Sequence, residues 1–500
     1  MRFTILIILV ATLAPIALAN PLHPIHVAQD THWTGTIEAP DGLVVHNGTT
    51  LTLTDATLEI SQRLHVEPGG TLLLAGDTHI RGQQNFSMLI EGTWYTQGGT
   101  HIVSGVTGKG LYGILDQTGA IQIVGTAILN QLHVRDSQEG FVVQADGLLQ
   151  LGNSSIDIDG FAGIGGYGAA YLDHTNIVAG AYALTGKGDC HFEVRHGELT
   201  AHSAAIGLNG CDLVLESTTV TSHNMGLQTK GAASVHLRDV TIQDYTRRAI
   251  DAQVLPGPGG LADPDRPTLN LHDVRMVPGE MQQPRTRNDG VGMSLIGIGA
   301  SVFREVVIEG HLSHGVYAET SEFDMQSSRI AGNGGYGIYA LKTTFTTDPL
   351  ANDLGLEDAA NEEGPIRAIL GFQLSLLDDD DTPLHNASLT VRGPALTVPL
   401  EWTDRLAQFT FELDGYYADE DGQWHAATPY AFELRHDTLE QPVEGEILAS
   451  GSASFRLPPA TQSPWGAIVG STIIGAAAFL FAYAFVGDPV TAWIKQRLRR

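Results

Sequence analysis

Arg247, Arg248, Arg285 and Arg287 lie close in sequence to Asp244, Asp289, Glu309, His311 and His314. Guanidinium groups neutralise an acid, and an imidazole or carboxylate beside them accepts a proton, so the set has the parts needed to remove a proton next to a uronate carboxylate. Arg285, Arg287 and His311 would carry such turnover. Charged loop residues are, however, more often solvated surface than active site.

A second group, His202, His223, Tyr245, His311 and Asn333, recurs at one place in the repeating pattern described below. Stacked in register, it would form a polar and aromatic stripe along one turn edge, suited to an extended sugar chain. The plainer reading is a ladder of turn residues capping backbone groups. No metal site is assigned, because His311-Leu-Ser-His314 is too short a motif to mark one. Asp378 to Asp381 is a candidate for Ca²⁺, but it lacks a glycine-spaced loop and reads better as an acidic, solvated turn. No other cofactor is expected.

What must position these residues is a six-residue phrase: apolar, any, small or polar, any, any, apolar. It starts at Leu53, Leu74, Thr96, Ile123, Leu151, Leu172, Val194, Leu215, Leu237, Leu271, Phe303 and Met325, and most steps are 21 or 22 residues. Such a period marks a solenoid. Around each copy apolar residues alternate, as in Leu213-Val-Leu215 and Val235-His-Leu237, which is the period of a strand with one buried face. Units this short cannot bury that face alone, so they must stack in parallel register. The expected fold is all-β: a parallel β-helix of about 12 rungs over residues 20–345. A leucine-rich repeat would need a denser leucine pattern and a fixed Asn or Cys. Excess residues at the steps 96 to 123, 123 to 151, 237 to 271 and 271 to 303 should emerge as loops.

Four late units add Ala249-Ile250, Gly315-Val316, Gly337-Ile338 and, one residue early, Gly226-Leu227. With the phrase, these pairs resemble the repeats of the pectin-lyase-like superfamily of right-handed parallel β-helices. That resemblance implies the fold, whereas the superfamily's members range from lyases, hydrolases and epimerases to adhesins. The paired aspartates and Gly-His-Gly of its polygalacturonase-like members are missing. The nearest match, Gly310-His311-Leu312, departs at its last residue and argues against hydrolysis.

Cys190 and Cys211 each stand four residues before their phrase, so stacked rungs would bring them together as a disulfide or as two buried thiols. Asn47, Asn85, Asn153 and Asn386 open glycosylation sequons.

Residues 1–19 read as a signal peptide. Residues 346–365 read as an acidic linker and 366–457 as a small β-sandwich. Within it, Leu377 to Val391 is similar to the opening hairpin of immunoglobulin-like surface modules. Trp465 to Val486 holds no charge over a length that spans a bilayer, so residues 464–487 are the expected C-terminal transmembrane helix. Gly466 and Gly470 would let two such helices pair into a homodimer. The basic tail, 488–500, should stay cytoplasmic and the rest outside the cell. A formal charge of −29 argues against a nucleic-acid partner, and 43% hydrophobic residues suffice for a core. These features point to a single-pass cell-surface protein, non-enzymatic, that binds glycans or envelope components. A surface-tethered polysaccharide lyase or epimerase and a structural stalk are the alternatives.

Overall fold

The computed structural model describes residues 23–456 apart from 108–120, 232, 255–265, 281–288, 348–351, 356–359, 378–379, 405–407, 419–423, 438, 440 and 449–450. The described residues form an all-β, right-handed parallel β-solenoid of about 13 turns with small antiparallel sheets near its C-terminal end. The chain divides after Tyr171 into two compact units.

In the first unit, Leu51 pairs with Leu72 and Leu72 with Trp94, while Leu43 pairs with Leu64 and Leu64 with Met88. These side chains are buried at 0–1% exposure, so each column is a continuous apolar stack inside the coil. In the second unit, Leu215, Leu237, Leu271, Phe303 and Met325 form one column. Leu227, Ile250, Met293, Val316, Ile338 and Ile366 form another. The Gly-Ile pairs of the sequence thus begin one face of the coil and the phrases occupy another.

The third residue of the phrase explains why the phrase exists. In eleven of the twelve copies that residue has a positive φ, as at Asp55 (48°), Gly76 (60°), His174 (48°), Ser217 (47°), Asp273 (54°) and Ser327 (49°). One left-handed residue per rung turns the chain through a corner, and small or polar types tolerate that conformation best. The exception is the copy starting at Ile123, whose Gly125 is absent from the positive-φ positions. The corner lies instead at Gln131 (55°), within Leu129 to Val134, and Leu129 pairs with Leu151 and Val134 with Ile156. The expected starts at 96, 123 and 151 are therefore 96, 129 and 151. All of the excess falls in the first step.

Cys190 and Cys211 form a disulfide between adjacent rungs, with Cα atoms 4.7 Å apart, and both are buried. The sequon residues Asn47, Asn85, Asn153 and Asn386 are all exposed.

The strand Gly364–Leu377 begins as a coil strand, with Ile366 beside Ile338, and continues into an antiparallel pairing with Gln408–Asp414 and a parallel one with Gly451–Arg456. The strands Leu400–Asp404, Ala387–Arg392, Tyr430–Arg435 and Val443–Ile447 make a separate antiparallel sheet. Leu374, Phe409 and Phe411 share one apolar cluster with Leu389, Phe432 and Leu434 of that sheet. Between coil and sheets, Asn352 accepts from the Ser328 N–H at 2.7 Å, and the Asn361 side chain accepts from the Asn333 N–H at 3.1 Å. Part of the stretch expected as a linker thus caps the coil.

The signal segment 1–19, the membrane segment 464–487 and the tail 488–500 lie outside the described residues, as do Arg285, Arg287, Asp378 and Asp379. Among the described residues no helix is long and apolar enough to cross a membrane.

Candidate functional site

The residues of the turn-edge column divide into two groups. His202 and His223 are exposed, whereas Tyr245, His311 and Asn333 are 1%, 2% and 0% exposed. The cause lies one residue upstream. Asp244, Gly310 and Gly332 have φ of 62°, 75° and 64°, which turn the side chain that follows into the coil. Ala201 and Ser222, before the two outer histidines, are not among the positive-φ residues.

Inside, these residues form a directional chain. The Asn333 carbonyl oxygen can only accept, so His311 Nδ1 donates to it at 3.0 Å, which leaves Nε2 to accept the Tyr245 hydroxyl at 2.6 Å. Asn333 Nδ2 donates to Asn361 at 2.8 Å, and Asn361 Nδ2 donates to the carbonyls of Ile330 and Leu354. Burial lowers the proton affinity of His311 to a pKa of about 4 and pushes the Tyr245 hydroxyl well above its ordinary value. A neutral, enclosed imidazole with both nitrogens engaged is a fixture of the turn and does not face a substrate.

Of the other charged candidates, Arg247, Arg248 and Asp289 do come together, joined by Asp251, which the sequence did not single out. Arg248 reaches Asp251 at 2.6 Å and Asp289 at 3.1 Å, and Arg247 reaches Asp289 at 2.9 Å. Both carboxylates are 1–2% exposed. Two acids clamped by two guanidiniums out of water hold a fold together rather than await a ligand. Glu309 is paired with Arg329, Asp244 is exposed, and His314 stacks on Tyr339 at 4.8 Å.

An open groove of about 530 Å³ lies elsewhere on the second unit. Its floor is built from the strands Asp212–Ser222, Ser234–Tyr245, Thr268–Pro278 and Ser301–Glu309. The residues between the inward apolar ones point outward, and their register sets them in two rows. Val214, His236, Asn270 and Val302 form one, and Glu216, Arg238, His272 and Arg304 form the other. His236, Arg238, His272 and Arg304 are exposed. Asn270 donates to His236 Nδ1 at 3.4 Å, so Nε2 carries the hydrogen and donates to the Ser234 hydroxyl at 2.9 Å. Arg238 lies 3.8 Å from Glu216, an exposed contact worth little. The His272 imidazole and the Arg304 guanidinium stand exposed along this groove.

The groove residues do not stand out in the sequence, although a signal is there. Arg238, His272 and Arg304 each occupy the second position of a phrase, and only the alternation shows that this position faces out. A smaller hollow of about 340 Å³ lies over Asp324, Gln326, Thr346 and Asn352. There Asp324 is already bonded to both Gln326 and Thr346.

No protein-family model matches the chain, and no curated protein matches it. Among solved structures, the catalytic unit of a thermostable GH87 alpha-1,3-glucanase from Streptomyces thermodiastaticus strain HF3-3 is similar over 64% of this chain, at 9% identity and a TM-score of 0.40. The match spans 63% of that protein's chain, less than two thirds of its length. A likeness this distant says nothing of what the present chain binds.

Proposed function

We propose that this chain is a membrane-anchored cell-surface protein whose β-helix binds an extended glycan, or an envelope polymer of similar repeat, along the groove between Val214 and Arg304. The carrying observation is the pair of outward rows on four successive rungs. Rungs about 4.8 Å apart present hydrogen-bonding side chains at a spacing close to the repeat of an extended hexose chain. Arg238, Arg304 and Asn270 offer donors to hydroxyl or acid oxygens, Glu216 accepts, and Val214 and Val302 supply apolar ends for sugar faces. Anchoring rests on the uncharged run Trp465 to Val486 and the basic tail after it.

Turnover has less support. His311 is enclosed, and Arg247 and Arg248 are committed to Asp289 and Asp251. The binding reading is tested by affinity electrophoresis of the full chain through a panel of neutral and acidic polysaccharides. At least one glycan should retard the wild type, and a variant with Arg238→Ala, His272→Ala and Arg304→Ala should migrate freely through it. A His202→Ala and His223→Ala variant should be retarded like the wild type. Equal retardation of the groove variant and the wild type would sink the proposal.

A further inference from the structure

A different corner of the second unit carries chemistry that the groove does not use. Asp173, His174 and His196 are exposed, and His174 and His196 occupy the third, left-handed position of two consecutive phrases, with φ of 48° and 52°. Successive corners stack, so the two imidazoles lie face to face with centroids 4.7 Å apart and planes 26° from parallel. Both turn Nδ1 toward the same atom: His174 Nδ1 and His196 Nδ1 each lie 3.0 Å from Asp173 Oδ1. Among the described residues, this is the group of three metal-competent side chains whose ligand atoms all lie within 4.8 Å of one another.

We infer that Asp173, His174 and His196 form a binding site for a divalent transition-metal ion, with the two imidazole Nδ1 atoms and the Asp173 carboxylate as ligands and water completing the shell. Ligand atoms around a tetrahedral ion with bonds of about 2.0–2.1 Å stand roughly 3.3 Å from one another. The two nitrogen–oxygen separations of 3.0 Å lie within a few tenths of an ångström of that value, and all three ligand atoms lie within 4.8 Å of one another. Two imidazoles and one carboxylate suit Zn²⁺, Co²⁺, Ni²⁺ or Cu²⁺, whereas Ca²⁺ and Mg²⁺ prefer all-oxygen sets. Proton balance is simple for neutral imidazoles: each exchanges its Nδ1–H tautomer for the Nε2–H form, so Nδ1 is freed without net proton release.

The surroundings tolerate a cation. Arg195 is the nearest fixed positive charge in sequence, and it pairs with Glu193 at 2.6 Å and with Glu216 at 3.7 Å. Along the same corner the next rungs carry Ser217 and Asp239, with the Ser217 hydroxyl donating to the Asp239 carboxylate at 2.8 Å. The hydrogen bond from His196 is the leading cause that holds the Asp173 carboxyl below its ordinary range, with a smaller share from His174.

The test is a Co²⁺ titration of the full chain, followed by visible d–d absorption, together with equilibrium dialysis against Zn²⁺. Asparagine tolerates the left-handed conformation, so His174→Asn and His196→Asn remove the ligands while keeping the corner. The wild type should retain one more equivalent than the double variant, with absorption typical of a nitrogen and oxygen site. Each single variant and Asp173→Asn should weaken that equivalent by more than the roughly 10–100-fold that outer-shell partners are worth. Binding should weaken on acidification, because protons compete with the ion for its ligands. His202→Asn with His223→Asn, two exposed histidines outside the site, should leave the equivalent intact. Equal stoichiometry and affinity in the wild type and the His174/His196 double variant would overturn the inference. So would a wild type that retains no Co²⁺ or Zn²⁺ at micromolar concentration. Neither result bears on the glycan groove, which is read by a separate variant.

Discussion

Replacing His311 by asparagine, together with Tyr245→Phe, should flatten the pH dependence of the rungs between Phe303 and Asn361. In the native coil, burial holds His311 at a pKa of about 4 against an ordinary 6.5. Between those two values the unfolded chain binds a proton that the folded chain refuses. Stability from this residue is thus fully present above pH 6.5 and is lost as pH falls toward 4. At roughly 1.4 kcal/mol for each tenfold change in proton affinity, the loss is about 3 kcal/mol. Asparagine at position 311 extends the ladder of Asn333 and Asn361 but does not titrate. The accompanying Tyr245→Phe change removes the hydroxyl that would otherwise be stranded, a group worth about 1–3 kcal/mol. The assay is hydrogen exchange of peptides covering residues 303–341 between pH 4.5 and 7, corrected for intrinsic rates. The wild type should lose protection steeply on acidification, and the double variant only weakly. Equal slopes in the two proteins, or a His311 ring that titrates near 6.5 by NMR, would refute the account.

Asp289→Ala leaves Arg247 without its buried counter-ion and Arg248 with Asp251 alone. It should cost about 3–5 kcal/mol, read as a lowered denaturation midpoint. Removing both Cys190 and Cys211 as alanines opens a bridge between residues 21 apart and should cost roughly 3 kcal/mol. Unchanged unfolding of that variant in oxidising buffer would contradict a stabilising bridge. Asp273 is exposed at a corner with φ of 54°. Asp273→Val should therefore destabilise by about 1–2 kcal/mol while Asp273→Gly does not, and equal melting temperatures for the two variants would argue against a left-handed requirement.

Much of the fold could be read from local rules. The 22-residue period and the apolar alternation imply stacked parallel strands because units this small cannot bury a face alone. The small or polar third residue of each phrase is there because a left-handed corner excludes most side chains. Even the split of the turn column had a local signal: Asp244, Gly310 and Gly332 precede the residues that turn inward, and Ala201 and Ser222 precede those that stay outside. His311 has the type and spacing of an accessible proton acceptor, but the left-handed glycine before it turns the ring into the coil.

The copy assigned at Ile123 shows where local pattern fails. Ile123 to Ile128 and Leu129 to Val134 both satisfy the phrase loosely, and only pairing of Leu129 with Leu151 decides between them. The groove depends on the same kind of information. His236 and Asn270 are 34 residues apart and Asn270 and Val302 are 32, because insertions of unequal length separate the strands, yet register sets them side by side. Strand periodicity states that a residue faces outward. Which outward residues become neighbours is settled by how adjacent rungs align after their loops have been looped out, and that alignment exists only in the folded coil.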